Sequence, residues 1–154
     1  MKNERTQCSW NWKGVVTAAG IAIISFSHGF AQEANGTVYE NNENPIIRDM
    51  YTADPSARVW DDGRLYIYAS HDIAPPRGCD LMDQYHVFST DDMVHWKDHG
   101  EILRAADVPW GRKDGGFMWA PDCVFKNGTY YFYFPHPSGD DWNKTWKIGI
   151  ATSK

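Results

Sequence analysis

The sequence predicts an all-β protein in which similar antiparallel sheets repeat around an axis as the blades of a β-propeller. Residues 58–68 read as a strand, a two-residue Asp62–Gly63 turn and an aromatic strand, and the pattern returns in residues 123–133 around Asn127–Gly128. Aromatic residues make up 15% of the chain, which favours strands. Helical periodicity is absent after residue 31. Together these observations predict radially repeated four-stranded sheets.

The N-terminus is typical of a targeting segment. Basic residues precede an apolar stretch, Gly14–Phe26, that is too short for a membrane span. We expect a signal peptide over residues 1–31, with cleavage before Gln32 and a secreted or periplasmic protein; the alternative is an uncleaved anchor. Residues 32–44 are polar and are predicted to be a flexible lead-in.

The strands follow in order along residues 45–154. Period-2 patterns predict strands at 58–60, 64–69, 85–89, 96–100, 123–125, 129–135 and 147–152. A short helical turn is predicted within Ser89–Trp96, and the long loops 70–84 and 104–118 are expected to build a site. About two blades are present, and the smallest propellers have about four. We therefore expect an N-terminal piece of a longer propeller.

Composition and cysteine content exclude several functions. The net charge of -5 and the absence of a basic run argue against nucleic-acid binding. Export would leave Cys79 and Cys123, which either form a disulfide or leave Cys123 buried in a strand. No metal-binding spacing accompanies them.

Two acids next to prolines are the candidate chemical groups. Pro55 holds Asp54 extended at the start of an innermost strand, which directs its carboxylate into the channel; the alternative is a turn residue. Asp122 lies at the same channel end of the second repeat, either near the same pocket or as an acceptor that ties down a loop. Strict repeat register aligns Asp54 with Trp119, so the two acids are not equivalent. Paired carboxylates suit glycoside hydrolysis.

Aromatic and polar residues near these acids are candidates for binding a sugar. Trp119 and Phe117 flank Asp122 and either stack on a sugar ring or belong to the core. His71 and Asp72 end a predicted strand before a long loop, where they either face the pocket rim or serve structure alone.

Several short motifs carry a resemblance to glycoside hydrolase family 43. They are NPI at 44–46, TADPS at 52–56, DGRLYIY at 62–68, STDD at 89–92 with HW at 95–96, and WAPD at 119–122. Members of the family that this sequence resembles are five-bladed β-propellers with β-xylosidase, α-L-arabinofuranosidase or arabinanase activity. The resemblance implies an inverting hydrolase with Asp54 as general base, and it places Asp122 as a pocket-lining or pKa-modulating residue.

The same resemblance sets the expected partners. It implies a plant cell-wall oligosaccharide or polysaccharide as substrate, no required cofactor, and a structural calcium ion that the full-length propeller can hold. The general acid, a glutamate, is expected beyond residue 154, so these residues alone should not hydrolyse glycosides. No membrane partner is expected after signal cleavage. The alternative is a non-catalytic propeller that binds glycans or acts as a scaffold.

Overall fold

The computed structural model describes residues 15–17, 36–41, 43–74 and 78–154. Nearly all regular structure in these residues is antiparallel β-sheet, arranged in one five-stranded and one four-stranded sheet. The sheets are two blades of a β-propeller, which confirms the fold class. No helix in the described ranges is long and apolar enough to cross a bilayer.

The first blade contains the predicted inner strand and three neighbours. Its strands are β3 (Tyr51–Val59), β4 (Leu65–Asp72), β5 (Gln84–Thr90) and β6 (His95–Arg104), in the order β6-β5-β4-β3. A fifth strand, β2 (Thr37–Glu40), pairs with β6 at the outer edge. Part of the predicted lead-in is therefore a strand: β2 completes the backbone hydrogen bonds of an otherwise open edge.

The second blade repeats this arrangement. It contains β7 (Asp122–Lys126), β8 (Thr129–Pro137) and β9 (Trp146–Ser153), and β1 (Val15–Thr17) pairs with β9. Strand β1 lies in the apolar stretch predicted as part of a signal peptide; the rest of residues 1–31 lies outside the described ranges. All seven predicted strands are present, and each is longer than predicted.

The turn that joins β5 to β6 differs from the prediction. Residues 91–94 form bends rather than a helical turn. The Thr90 hydroxyl accepts the backbone N–H of Met93 at 2.7 Å, and Asp92 Oδ1 accepts that of His95 at 2.7 Å. Side chains thus take the hydrogen bonds that a helix would have made, which is typical of Asp and Thr in turns. Short 3₁₀ turns, Cys79–Leu81 and Ala105–Asp107, lie in the two predicted loops.

The blades pack through aromatic residues. Tyr68 and Tyr85 of the first blade contact the Phe132 ring of the second, at centroid distances of 5.9 and 5.1 Å. All three are fully buried, as is Cys123 beside them. The side chain of Cys79 lies outside the described residues, so the disulfide stays a prediction.

Candidate active site

Asp54 lies on the innermost strand of the first blade, at an irregularity in its pairing with β4. The register shifts between Ala53 and Ser56, and Asp54 has φ of 47°. The prediction that Pro55 holds Asp54 extended was therefore wrong. Asp tolerates this left-handed conformation better than most residues. The bulge lifts the side chain out of the regular alternation and leaves the carboxylate exposed.

Trp119 of the second blade holds this carboxylate. Its indole Nε1–H donates to Asp54 Oδ2 at 2.6 Å. Trp119 is fixed in turn, because the hydroxyl of the buried Tyr85 donates to its backbone carbonyl at 2.7 Å. Tyr85 of the first blade thus fixes Trp119, and Trp119 in turn fixes Asp54. The other oxygen of Asp54, Oδ1, has no hydrogen-bond donor among the described residues.

The loop before Trp119 is anchored to the first blade. Gly116, with φ of 74°, donates its N–H to Asp83 Oδ1 at 2.6 Å. Two residues later, Met118 N–H donates to the carbonyl of Met82 at 2.9 Å. These bonds set the path by which the second blade reaches the channel.

Asp72 and His71 lie at the same end of the sheet as Asp54. Asp72 pairs with Tyr51, and His71 pairs with Thr52. Burial raises the pKa of the Asp72 carboxyl, and the negative charge of Asp54 raises it further, while His71 opposes the rise. Asp72 is therefore a second carboxylate at the end of the sheet that holds Asp54.

A chain of polar side chains lies behind His71. Gln84 Nε2 is 2.7 Å from His71 Nδ1 and 3.4 Å from His86 Nε2. His86 Nδ1 lies 3.2 Å from a carboxylate oxygen of Asp98, and Arg104 donates to Gln84 Oε1 at 3.3 Å. The chain ties the rim of the site to the outer strands of the blade.

Asp122 makes a different contact from the one expected of a pKa-modulating residue. It forms an ion pair with Arg58 at 2.6 Å and accepts the backbone N–H of Cys123. Arg58 is four residues beyond Asp54 on β3, which is about 13 Å along a strand. Asp122 thus ties the second blade to β3 of the first, at a strand residue away from Asp54.

The two candidate stacking residues also differ. Phe117 is only 4% exposed and stacks on Trp142 at 5.3 Å, with Arg112 5.4 Å from its ring centre. Its faces are occupied, so the structure opposes the sugar-stacking prediction for Phe117 and supports its core alternative. Trp119 is half-buried, with its ring 5.8 Å from that of Trp146.

No group of three or more metal-ligating side chains is found in the part of the chain that the structure describes. The calcium ion implied by the family resemblance stays a prediction.

Comparison with known proteins decides the family. The model of glycosyl hydrolases family 43 matches residues 42–154. The chain belongs to glycosyl hydrolase family 43. It is 42% identical over 122 residues to the xylosidase/arabinosidase 43A of Humicola insolens, covering 71% of this chain and 34% of that protein. It is 44% identical over 116 residues to a xylosidase/arabinosidase of Bacteroides ovatus, covering 70% and 34%.

A solved structure of the family has the same fold. The GH43_1 enzyme from Xanthomonas citri in complex with xylotriose matches with a TM-score of 0.60 and 36% identity, covering 80% of this chain and 33% of that one. This family 43 chain therefore spans about a third of the length of the relatives it matches.

Sequence reasoning missed the hydrogen bond between Trp119 and Asp54, although a signal for it existed. The repeat aligns these positions, and corresponding positions of adjacent blades lie next to each other at the hub of a propeller. The placement of Asp72 at the same end of the sheet had no comparable signal, because it depends on the register of β3 against β4.

Proposed function

We propose that the complete protein hydrolyses O-glycosidic bonds in xylose- or arabinose-containing glycans by an inverting mechanism, with Asp54 as the general base. The observation that carries the proposal is the exposed Asp54 carboxylate, held by Trp119 through one oxygen only. A general base must be fixed in position and still have a lone pair available for the proton of water.

The two oxygens of Asp54 have separate tasks in this mechanism. Oδ2 stays bound to the indole N–H of Trp119, which fixes the plane of the carboxylate. Oδ1 accepts a proton from water as the water oxygen attacks the anomeric carbon, and the glycosidic bond breaks on the opposite face of the sugar. Inverting hydrolases separate their two carboxyl groups by roughly 6.5–9.5 Å to admit this water.

The acid that protonates the leaving oxygen is expected from another blade, since the resemblance implies a glutamate that the described blades do not supply. Asp72 does not fit that task, because it lies on the same blade as the base. We assign Asp72 to binding, because it lies half-buried at the same end of the sheet as Asp54, where its carboxyl group can hydrogen-bond a sugar hydroxyl.

The sugar is proposed from the relatives. Those of Humicola insolens and Bacteroides ovatus are named xylosidase/arabinosidases, and the Xanthomonas citri enzyme was crystallised with xylotriose. We expect the complete protein to release nitrophenol from nitrophenyl xyloside, nitrophenyl arabinofuranoside, or both. The anomer first released from xylo-oligosaccharides, observed by proton NMR, should be inverted. Binding of these sugars without turnover would instead support the non-catalytic glycan-binding propeller.

Replacing Trp119 with phenylalanine should lower kcat about tenfold or more with little change in KM. Phenylalanine keeps an aromatic ring but removes the donor to Asp54, and a hydrogen bond to a charged group typically contributes about 1.5–3 kcal/mol. The control is Trp146→Phe, which changes the neighbouring ring and leaves the bond to Asp54 in place. A raised KM with unchanged kcat would show that Trp119 only stacks on substrate.

A further inference from the structure

The polar chain behind His71 has no part in the proposed proton transfer, and its contacts restrict which groups can donate and which can accept. It crosses the first blade from the inner to the outer strands. Thr52 pairs with His71 on β4, and Gln84 on β5 pairs with Arg104 on β6. All the titratable members except Arg104 are at least half-buried, so each proton in the chain must have a defined place.

Arg104 fixes the orientation of the Gln84 amide. A guanidinium group offers only donors, so the amide atom that it contacts at 3.3 Å must be the oxygen, Oε1. Glu101 holds the same Arg104 side chain by an ion pair. The amide nitrogen Nε2 therefore faces the two histidines, and it can only donate to them.

Asp98, at the other end of the chain, determines which nitrogen of His86 carries a proton. Its carboxylate accepts, so His86 Nδ1, at 3.2 and 3.3 Å from the two oxygens, carries a proton. The remaining nitrogen of His86 is then free to accept from Gln84 at 3.4 Å. A backbone N–H from Gly100 to Asp98 Oδ1 at 2.7 Å further favours the ionised carboxylate. Both ends of the chain thus agree on one pattern of donors.

That pattern determines the tautomer of His71. Gln84 donates to His71 Nδ1 at 2.7 Å, so in the neutral ring the proton lies on Nε2. The His86 ring lies edge-on at 5.0 Å and restricts rotation of His71. We propose that Gln84 is a positioning residue that holds His71 as the Nε2–H tautomer, so that His71 donates a hydrogen bond to a hydroxyl of the bound sugar.

The surroundings of His71 fit this task. Burial lowers the pKa of His71 and favours the neutral ring near pH 7, against the opposing charges of Asp72, Asp98 and Asp49. A sugar hydroxyl both donates and accepts one hydrogen bond readily. A neutral N–H next to the Asp72 carboxylate offers one donor and one acceptor at the same end of β4. The identity of the ligand rests on the proposed function, whereas the tautomer does not.

The test uses histidine labelled with ¹⁵N in the complete protein. Two-bond ¹⁵N–¹H correlation spectra distinguish a protonated ring nitrogen from an unprotonated one, and we expect His71 to be protonated at Nε2. In Gln84→Glu a carboxylate replaces the donor, so the proton should move to Nδ1. His95, an exposed histidine bound to Asp92, is the internal control and should not change. Gln84→Leu, which only removes the donor, provides a second variant in case Gln84→Glu fails to fold.

Function is read in the same variants. Adding xylose or L-arabinose should perturb the His71 Nε2–H signal, and KM should rise about tenfold in Gln84→Glu, which corresponds to the loss of one hydrogen bond, with a smaller change in kcat. An Nδ1–H tautomer in the wild-type protein would overturn the inference and leave the proposed hydrolysis standing. A reversed tautomer with unchanged sugar binding and KM would overturn the donor role. Absence of any hydrolysis would refute the proposed function, while the spectra and the sugar titration would still decide the inference.

Discussion

Replacing Asp54 with asparagine is expected to lower kcat about 10²–10⁴-fold, the usual contribution of general acid–base catalysis. Asparagine tolerates the left-handed backbone at this position, where φ is 47°. Its carbonyl oxygen can still accept the indole N–H of Trp119. The substitution therefore removes the ability to take a proton and little else. Hydrolysis of nitrophenyl xyloside and nitrophenyl arabinofuranoside by the complete protein is the measurement.

The matched control is Asp61→Asn, at the turn between β3 and β4. Asp61 is also exposed and also on the first blade, but it is remote from the channel end that holds Asp54. Its replacement should leave kcat unchanged. An Asp54→Asn protein that keeps kcat within a factor of a few would refute the assignment of the base, whatever its melting behaviour.

Replacing Gly116 with alanine is expected to destabilise the protein by roughly 2–5 kcal/mol, which combines left-handed strain with overpacking. Gly116 has φ of 74°, and a Cβ atom there would overlap the backbone carbonyl of Asp80. Backbone cannot move aside as a side chain can. Because Gly116 also donates to Asp83, the loop should shift and carry Trp119 away from Asp54.

Gly128→Ala separates the two causes. Gly128 has φ of 72°, but a Cβ there would meet no atom within 4 Å. This variant should show the left-handed strain alone, about 1–2 kcal/mol, with normal kcat. Urea unfolding of both variants gives the comparison. Equal losses of stability would contradict the close approach of Gly116 to the first blade.

Much of the fold could be predicted because its determinants are local. The Asp62–Gly63 and Asn127–Gly128 turns and the aromatic alternation beside them identify β3–β4 and β7–β8. Only the last residues of β3 were predicted as a strand, because the irregularity between Ala53 and Ser56 interrupts the alternation of side chains between the two faces. The sequence did not predict β2, because it has only four residues and pairs with β6, which is far along the chain.

The candidate site was only partly predictable for the same reason. Asp54 stood out because of the proline that follows it. The contact of Gln84 with His71 depends on how β4 and β5 align after a long loop, and no motif in the sequence specifies that alignment. The position of Phe117 near Asp122 left sugar stacking and core packing open, and packing against Trp142 buries it.

The bond between Asp54 and Trp119 joins residues that are 65 positions apart, and Arg58 reaches the carbonyl of Cys123 across the same interval. Units that arose by duplication would begin with identical side chains at these seams, and identical side chains cannot supply an acid and its indole donor together. The hydrogen bond therefore requires that the aligned positions of the two blades differ. A redesign that made the blades more alike for greater stability would remove this bond, so such efforts should keep Asp54 and Trp119 unchanged.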